Sequence, residues 1–198
     1  MKGGAFENEV CKLLSLWWTG GKRDDAFCRS RSSGAWFTSR KKSGKTTENQ
    51  AGDIMANTNE GKKFMDVFHI ECKTGYGRKN KAEMVRWDLL DLLDSVQKEP
   101  VFLKMWNQAT NEASITMREP ILIFRRNRRT PCIAFRGHIY DEYNEVVEGG
   151  ISGLYNLLHL KIGSLMYGDM IIMSLDNFFN WLDTKGKRDI FLKGIYNK

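Results

Sequence analysis

From Met65 to Lys73 the chain reads as a strand whose two sides differ in kind: Phe68, Ile70 and Cys72 fall on one, His69, Glu71 and Lys73 on the other. Extended side chains alternate with period two, so this run has to lie in a sheet that packs on one face and leaves the other for polar chemistry. Gly52 to Ala56 is a second candidate strand. Between the two, Asn57-Thr58-Asn59-Glu60-Gly61 has the composition of a turn, which predicts a β-hairpin. Antiparallel pairing would then bring Asp53, near the start of one strand, beside Glu71, near the end of the other.

The rest of the chain alternates helical and extended patterns. Phe6, Val10, Leu13, Leu14 and Trp17 recur at steps of three and four, marking an amphipathic helix over Ala5–Trp18 that Gly20-Gly21 ends. A short strand over Ala26–Arg31, a turn at Ser32-Ser33-Gly34 and a polar, basic loop over Ser39–Gln50 follow. After the loop from Gly75 to Lys81, helices are expected over Met84–Val96 and Val101–Gln108. Pro120–Phe124 and Cys132–Phe135 should form a hairpin whose turn projects Arg125, Arg126, Arg128 and Arg129. Leu154–Leu160 reads as helix and Asp169–Met173 as strand, with Ser174 capping a final helix to about Asp183. At 198 residues this is one layered α/β domain.

The net charge of +7 gathers at Lys41-Lys42-Lys45, Lys62-Lys63, Arg78-Lys79-Lys81 and Arg125 to Arg129. Clustered positive charge attracts polyanions by releasing phosphate counterions, so nucleic acid leads as a partner, with a plain solvated basic surface as the alternative. The sequence has no run of eighteen or more apolar residues, and Glu7 and Glu9 interrupt the N-terminus. A soluble, intracellular protein with no membrane partner is expected. Cys11, Cys28, Cys72 and Cys132 form no CxxC pair and read as reduced core thiols. His69, His138 and His159 lack helical i, i+4 spacing, which leaves a zinc site little to build from. Trp17, Trp18 and Trp36 read as core or as stacking platforms, and Phe178, Phe179 and Trp181 as packing.

Hydrolysing a phosphodiester takes a nucleophilic water beside an anionic phosphorus centre, and carboxylates commonly hold the cations this requires. Asp53 and Glu71 supply such a pair, Lys73 shares the face of Glu71 and can orient the water, and the Cys72 backbone carbonyl remains available although its side chain points away. His69 lies on the same face, either as a base or as a structural histidine. Glu60-Gly61-Lys62 and Asp183-Thr184-Lys185 repeat the spacing, one in a turn and one at a helix end, so neither closes an alternating strand. Ser43-Gly44-Lys45-Thr46-Thr47 lacks both the leading glycine and the preceding strand of a P-loop.

Gly52-Asp53 followed by Glu71-Cys72-Lys73 resembles the PD-(D/E)xK nuclease motif, with Gly52 where the motif's name has proline. Within that superfamily the chain is most similar to Holliday-junction resolvases, through Lys2-Gly3 with Glu7 and through Arg29 to Gly34. The resemblance implies a restriction-endonuclease-like core over about 2–136, a central mixed β-sheet flanked by helices, with extra C-terminal α/β elements over about 137–198. It implies a Mg²⁺-dependent DNA endonuclease, with Mn²⁺ able to substitute, acting on branched DNA as a homodimer. Asp53, Glu71, the Cys72 carbonyl and Glu7 would hold metal, and Lys73 would handle the nucleophile. DNA contacts fall to Arg29, Ser32, Ser33, Lys41, Lys42, Lys45, Arg78, Lys79, Arg125, Arg126, Arg128 and Arg129. The alternative is a non-catalytic nucleic-acid-binding protein that keeps the nuclease fold.

Overall fold

The computed structural model describes residues 2–30, 52–75, 101–126, 128–139, 158–160 and 170–183. Helix α1, Lys2–Trp18, buries Phe6, Val10, Leu14 and Trp17 along one stripe. It leads into β1, Phe27–Arg29. Ser15 ties the two together: its hydroxyl donates to the Cys11 carbonyl at 2.6 Å and accepts the Phe27 N–H at 3.0 Å. β1 pairs antiparallel with β2, Ile54–Ala56, as a two-stranded ribbon.

The expected hairpin does not form. Residues read as a turn instead open helix α2, Asn59–Val67, and the strand begins only after it, as β3, Phe68–Thr74. Thr58 is the N-cap, its side chain accepting the Gly61 N–H at 3.3 Å, and Glu60 puts negative charge near the positive helix start. Gly61, Phe64, Met65 and Val67 form the buried face. Gly61 is required by proximity rather than by a turn, since a Cβ there would meet the Ala26 carbonyl oxygen at 2.4 Å. Glu60-Gly61-Lys62 therefore lies on a helix, still outside any strand.

β3 is one edge of a five-stranded sheet of order β3-β4-β5-β7-β6, where β4 is Glu119–Arg125, β5 Cys132–Arg136, β6 Leu158–Leu160 and β7 Met170–Ser174. β3 and β4 run parallel and the other pairs antiparallel, so the sheet is mixed. A parallel pair needs a crossover. Helix α3, Val101–Thr116, lies within this connection and extends past the expected end at Gln108. The β4–β5 hairpin, the strand at β7 and the final helix α4, Leu175–Asp183, match expectation, and the Ser174 hydroxyl accepts the Asn177 N–H at 3.1 Å. Leu158–Leu160 does not: this stretch of the expected helix is an edge strand on β7, because a short apolar run carries no period and a paired strand settles it. The expected helix Met84–Val96 lies outside the described residues.

Strand alternation divides the interior in two. Phe68, Ile70, Cys72, Ile121, Ile123, Ile133, Phe135, Ile171 and Met173 face α1, α2, the ribbon and α4. Leu122, Ala134 and Met170 face Phe102, Leu103, Met105, Trp106 and Ala109 of α3. The result is an α/β fold, a central mixed sheet with helices on both faces. Trp17 is core, stacked on Phe179 at 4.8 Å, and Phe178 and Trp181 pack against Phe135. Trp36 lies outside the described residues. All four cysteines are free thiols, with Cys11 and Cys72 buried in the first core. Among the described residues no helix is long and apolar enough to cross a membrane.

Candidate active site and metal centre

Although no hairpin joins them, Asp53 and Glu71 do meet. The Asp53 N–H donates to the Ile70 carbonyl at 2.9 Å, and the Asp53 carbonyl accepts the Ser30 N–H at 2.8 Å. Asp53 thus splices the β1–β2 ribbon onto the edge of β3 that faces away from β4. Its Oδ2 accepts the Cys72 N–H at 2.8 Å. An extended residue turns its N–H and C=O to the same edge of the strand, so the Cys72 carbonyl also faces the Asp53 side.

Gly52 makes the approach possible. It holds a positive φ of 89°, and a Cβ there would stand 2.7 Å from the Ile70 carbonyl oxygen that anchors Asp53. Gly52→Ala should lower stability by about 2 kcal/mol, the strain of a left-handed non-glycine residue plus a displaced anchor, read as a lower urea midpoint.

Glu71 is almost fully buried on the α3 side of β3. Its Oε2 accepts from Lys73 Nζ at 2.9 Å, while Oε1 lies 3.6 Å from His69 Nε2. Burial pushes its acidity toward the neutral form, but His69 and Lys73 outweigh that and hold it down at about 2. Asp53 goes the other way, up to about 7, through burial first and the Glu71 charge second, with the Cys72 N–H and Lys73 opposing. Two carboxylates pushed apart in this way share one electrostatic site, in which the positive charge of Lys73 and His69 falls to Glu71 and leaves Asp53 to hold the proton.

Glu7, on the second turn of α1, acts on Asp53 through its charge and pairs with Arg29. Gly4 leaves room for that arginine, since a Cβ there would lie 2.9 Å from a guanidinium nitrogen. The structure brings Glu7, Asp53, Glu71, Cys72 and Lys73 to one edge of the sheet. Arg125 is not projected with the hairpin turn: it belongs to β4 and folds back on α1, bound by Glu9 at 2.6 and 2.8 Å with its guanidinium 4.6 Å over the Phe6 ring. Arg126, Arg128 and Arg129 are exposed at the turn. Ser32, Ser33, Lys41, Lys42, Lys45, Arg78 and Lys79 lie outside the described residues, as does the Ser43–Thr47 segment.

The family described as "Phage putative PDDEXK endonuclease" matches residues 1–186. The chain belongs to it. Neither the curated proteins nor the solved structures contain a match. PD-(D/E)xK membership agrees with the fold and with the strand that carries Glu71-Cys72-Lys73.

In this PDDEXK-family chain one residue of the site escaped sequence reasoning. Glu112, on α3, places Oε2 3.6 Å from His69 Nε2, and His69, Glu71 and Glu112 form a group able to hold a divalent metal. A signal existed: Glu112 continues the buried stripe of Met105 and Ala109, where a charge is out of place. His69 is fully buried, and although burial alone would favour its neutral form, the Glu112 and Glu71 carboxylates raise its basicity above the ordinary value.

Proposed function

We propose that the chain is a Mg²⁺-dependent DNA endonuclease. The observation that carries this reading is Asp53, bonded to the backbone of β3 beside Glu71 with Lys73 next along the same face. Asp53, Glu71 and the Cys72 carbonyl make an all-oxygen donor set of the kind Mg²⁺ prefers, and Mn²⁺ accepts the same set. A cation held there would polarise the scissile phosphate and lower the pKa of a bound water. Lys73 supplies an ammonium that orients the attacking water and offsets charge on the phosphate. Glu7 adds negative charge near Asp53, partly offset by its pairing with Arg29.

DNA would run across the end of the sheet where β3 and β4 finish together. Thr74 is in register with Arg125, so the exposed arginine turn lies beyond Lys73 at the same end. Arg126 is four residues past Leu122, the partner of Glu71, about 13 Å along the strand. Replacing Arg126, Arg128 and Arg129 together with alanine should weaken binding evenly across sequences and flatten the log K against log salt slope by up to about 3. A slope equal to that of the wild type would remove the turn from the interface.

Branched DNA is the substrate class favoured by the resemblance of Glu7 and Arg29–Gly34 to junction resolvases, and a homodimer is the assembly that cuts two strands. The test is Mg²⁺-dependent cleavage of four-way junctions, linear duplexes and single strands by the full chain. Inertness on all three with Mg²⁺ and with Mn²⁺ sinks the enzyme reading.

Acidity adds a further expectation. Below about pH 7 the proton on Asp53 competes with the cation, so apparent Mg²⁺ affinity should climb as pH rises to about 7 and then level off. Because the folded-state value is raised, Asp53 favours the metal-free fold below the ordinary carboxyl range, and that contribution is lost as pH rises through about 7. Thermal unfolding with and without Mg²⁺ should therefore diverge above pH 7. Equal Mg²⁺ affinity at pH 5.5 and 8 would contradict a metal role for Asp53.

A further inference from the structure

On the α3 side of β3, a second donor set that shares Glu71 with the Asp53 edge has a different chemistry. His69 is fully buried, and both of its ring nitrogens lack a hydrogen-bond partner. Glu112 Oε2, also buried, lacks one too. His69 Nε2 stands 3.6 Å from Glu71 Oε1 and 3.6 Å from Glu112 Oε2, and the ligand atoms of the three residues all lie within 4.8 Å of one another. A separation of 3.6 Å is too long for a hydrogen bond and is an ion-pair distance when the imidazole is protonated, so a metal ion bound here would displace that proton. The same separation suits two ligands of one ion, since donors about 2.0–2.2 Å from a tetrahedral centre lie about 3.3–3.6 Å apart.

We propose that His69, Glu71 and Glu112 form a site for a first-row transition-metal dication such as Zn²⁺, Co²⁺ or Mn²⁺, distinct in ligand chemistry from the all-oxygen set at Asp53. An imidazole nitrogen selects against Mg²⁺, which prefers oxygen and dehydrates reluctantly. Three protein ligands leave one position for water. Glu71 is common to both sets, turning Oε1 toward the imidazole and Oε2 toward Lys73. An ion here pins α3 to β3 and fixes the carboxylate that the Asp53 edge also uses. The inference shares only Glu71 with the nuclease reading and needs no cleavage to be true.

Metal-free full-length protein is titrated with Co²⁺ and followed by visible absorption and by the paramagnetically shifted ring N–H signal of a Co²⁺-bound histidine. One such histidine signal is expected, with Zn²⁺ displacing Co²⁺ and Mg²⁺ failing to do so at the same concentration. His69→Ala and Glu112→Gln should each weaken Co²⁺ binding, His69→Ala by more than about a hundredfold, the upper range for outer-shell changes alone. The signal should persist in His138→Ala and His159→Ala, which assigns it to His69 even if His69→Ala does not fold. Absence of the signal in the wild type, its loss in His138→Ala or His159→Ala, or equal displacement by Mg²⁺ overturns the proposal. Asp53→Asn separates the two readings: it should abolish cleavage and leave the histidine signal in place.

Discussion

Asp53→Asn should lower Mg²⁺-dependent DNA cleavage by roughly a thousandfold or more, about 4 kcal/mol of transition-state stabilisation. Asparagine keeps the shape and an oxygen that can accept the Cys72 N–H, so the splice between the ribbon and β3 survives. What disappears is the negative charge that would hold a cation beside Glu71 in the proposed site. Lys73→Ala should cost a similar factor by another route, because Lys73 Nζ donates to Glu71 Oε2 at 2.9 Å and so holds its ammonium beside the proposed reacting face. Mg²⁺ affinity separates the two: Asp53→Asn loses it, and Lys73→Ala largely keeps it. Glu60→Gln is the matched control. Glu60 heads the other E-x-K, away from Asp53 on helix α2, where its backbone carbonyl accepts from Trp18 Nε1 at 2.8 Å and its side chain faces solvent with its charge felt by Arg23. Cleavage by Asp53→Asn at the wild-type rate, with its fold intact by circular dichroism, would end the metal-site assignment.

The face of β3 was legible because alternation is local: Ile70 and Cys72 enter one core, while His69, Glu71 and Lys73 turn the other way. Family membership was legible for the same reason, since Asp53 and Glu71-Cys72-Lys73 announce themselves by spacing and context. The path between them was not. Thr58, Asn59 and Glu60 are turn residues by composition and an N-cap with its first turn in the structure, since the same short polar side chains serve both. Gly61 deepened the ambiguity, because its reason for being glycine is the Ala26 carbonyl pressed against the helix. Glu112 meets His69 only through a crossover, a relation that no window of sequence contains. Arg125 shows the converse: as a member of an arginine cluster it reads as a DNA contact, yet Glu9 and Phe6 on the first helix claim it.

Helix α2 therefore carries a consequence that the hairpin would not. Phe64 is fully buried, with its ring 4.8 Å from Phe68, 5.3 Å from Trp18, 5.8 Å from Phe27 and 5.9 Å from Trp17. It is the point where α1, β1 and β3 are held to one another. Phe64→Ala should destabilise the fold by about 4 kcal/mol, the range for a large aromatic removed from a close-packed core. That is a large part of the roughly 5–15 kcal/mol that holds a domain together. In a hairpin the same residue would sit beside an exposed turn, and its loss would cost within about 0.5 kcal/mol. The urea midpoint thus distinguishes the two local structures directly. The effect on the site follows from the geometry: Asp53 reaches β3 through a ribbon whose strand β1 packs against Phe64, so loosening α2 shifts Asp53 relative to Glu71 before the sheet itself unfolds. Cleavage should accordingly fail at lower urea than the loss of far-UV circular dichroism in Phe64→Ala, whereas in the wild type the two curves should coincide.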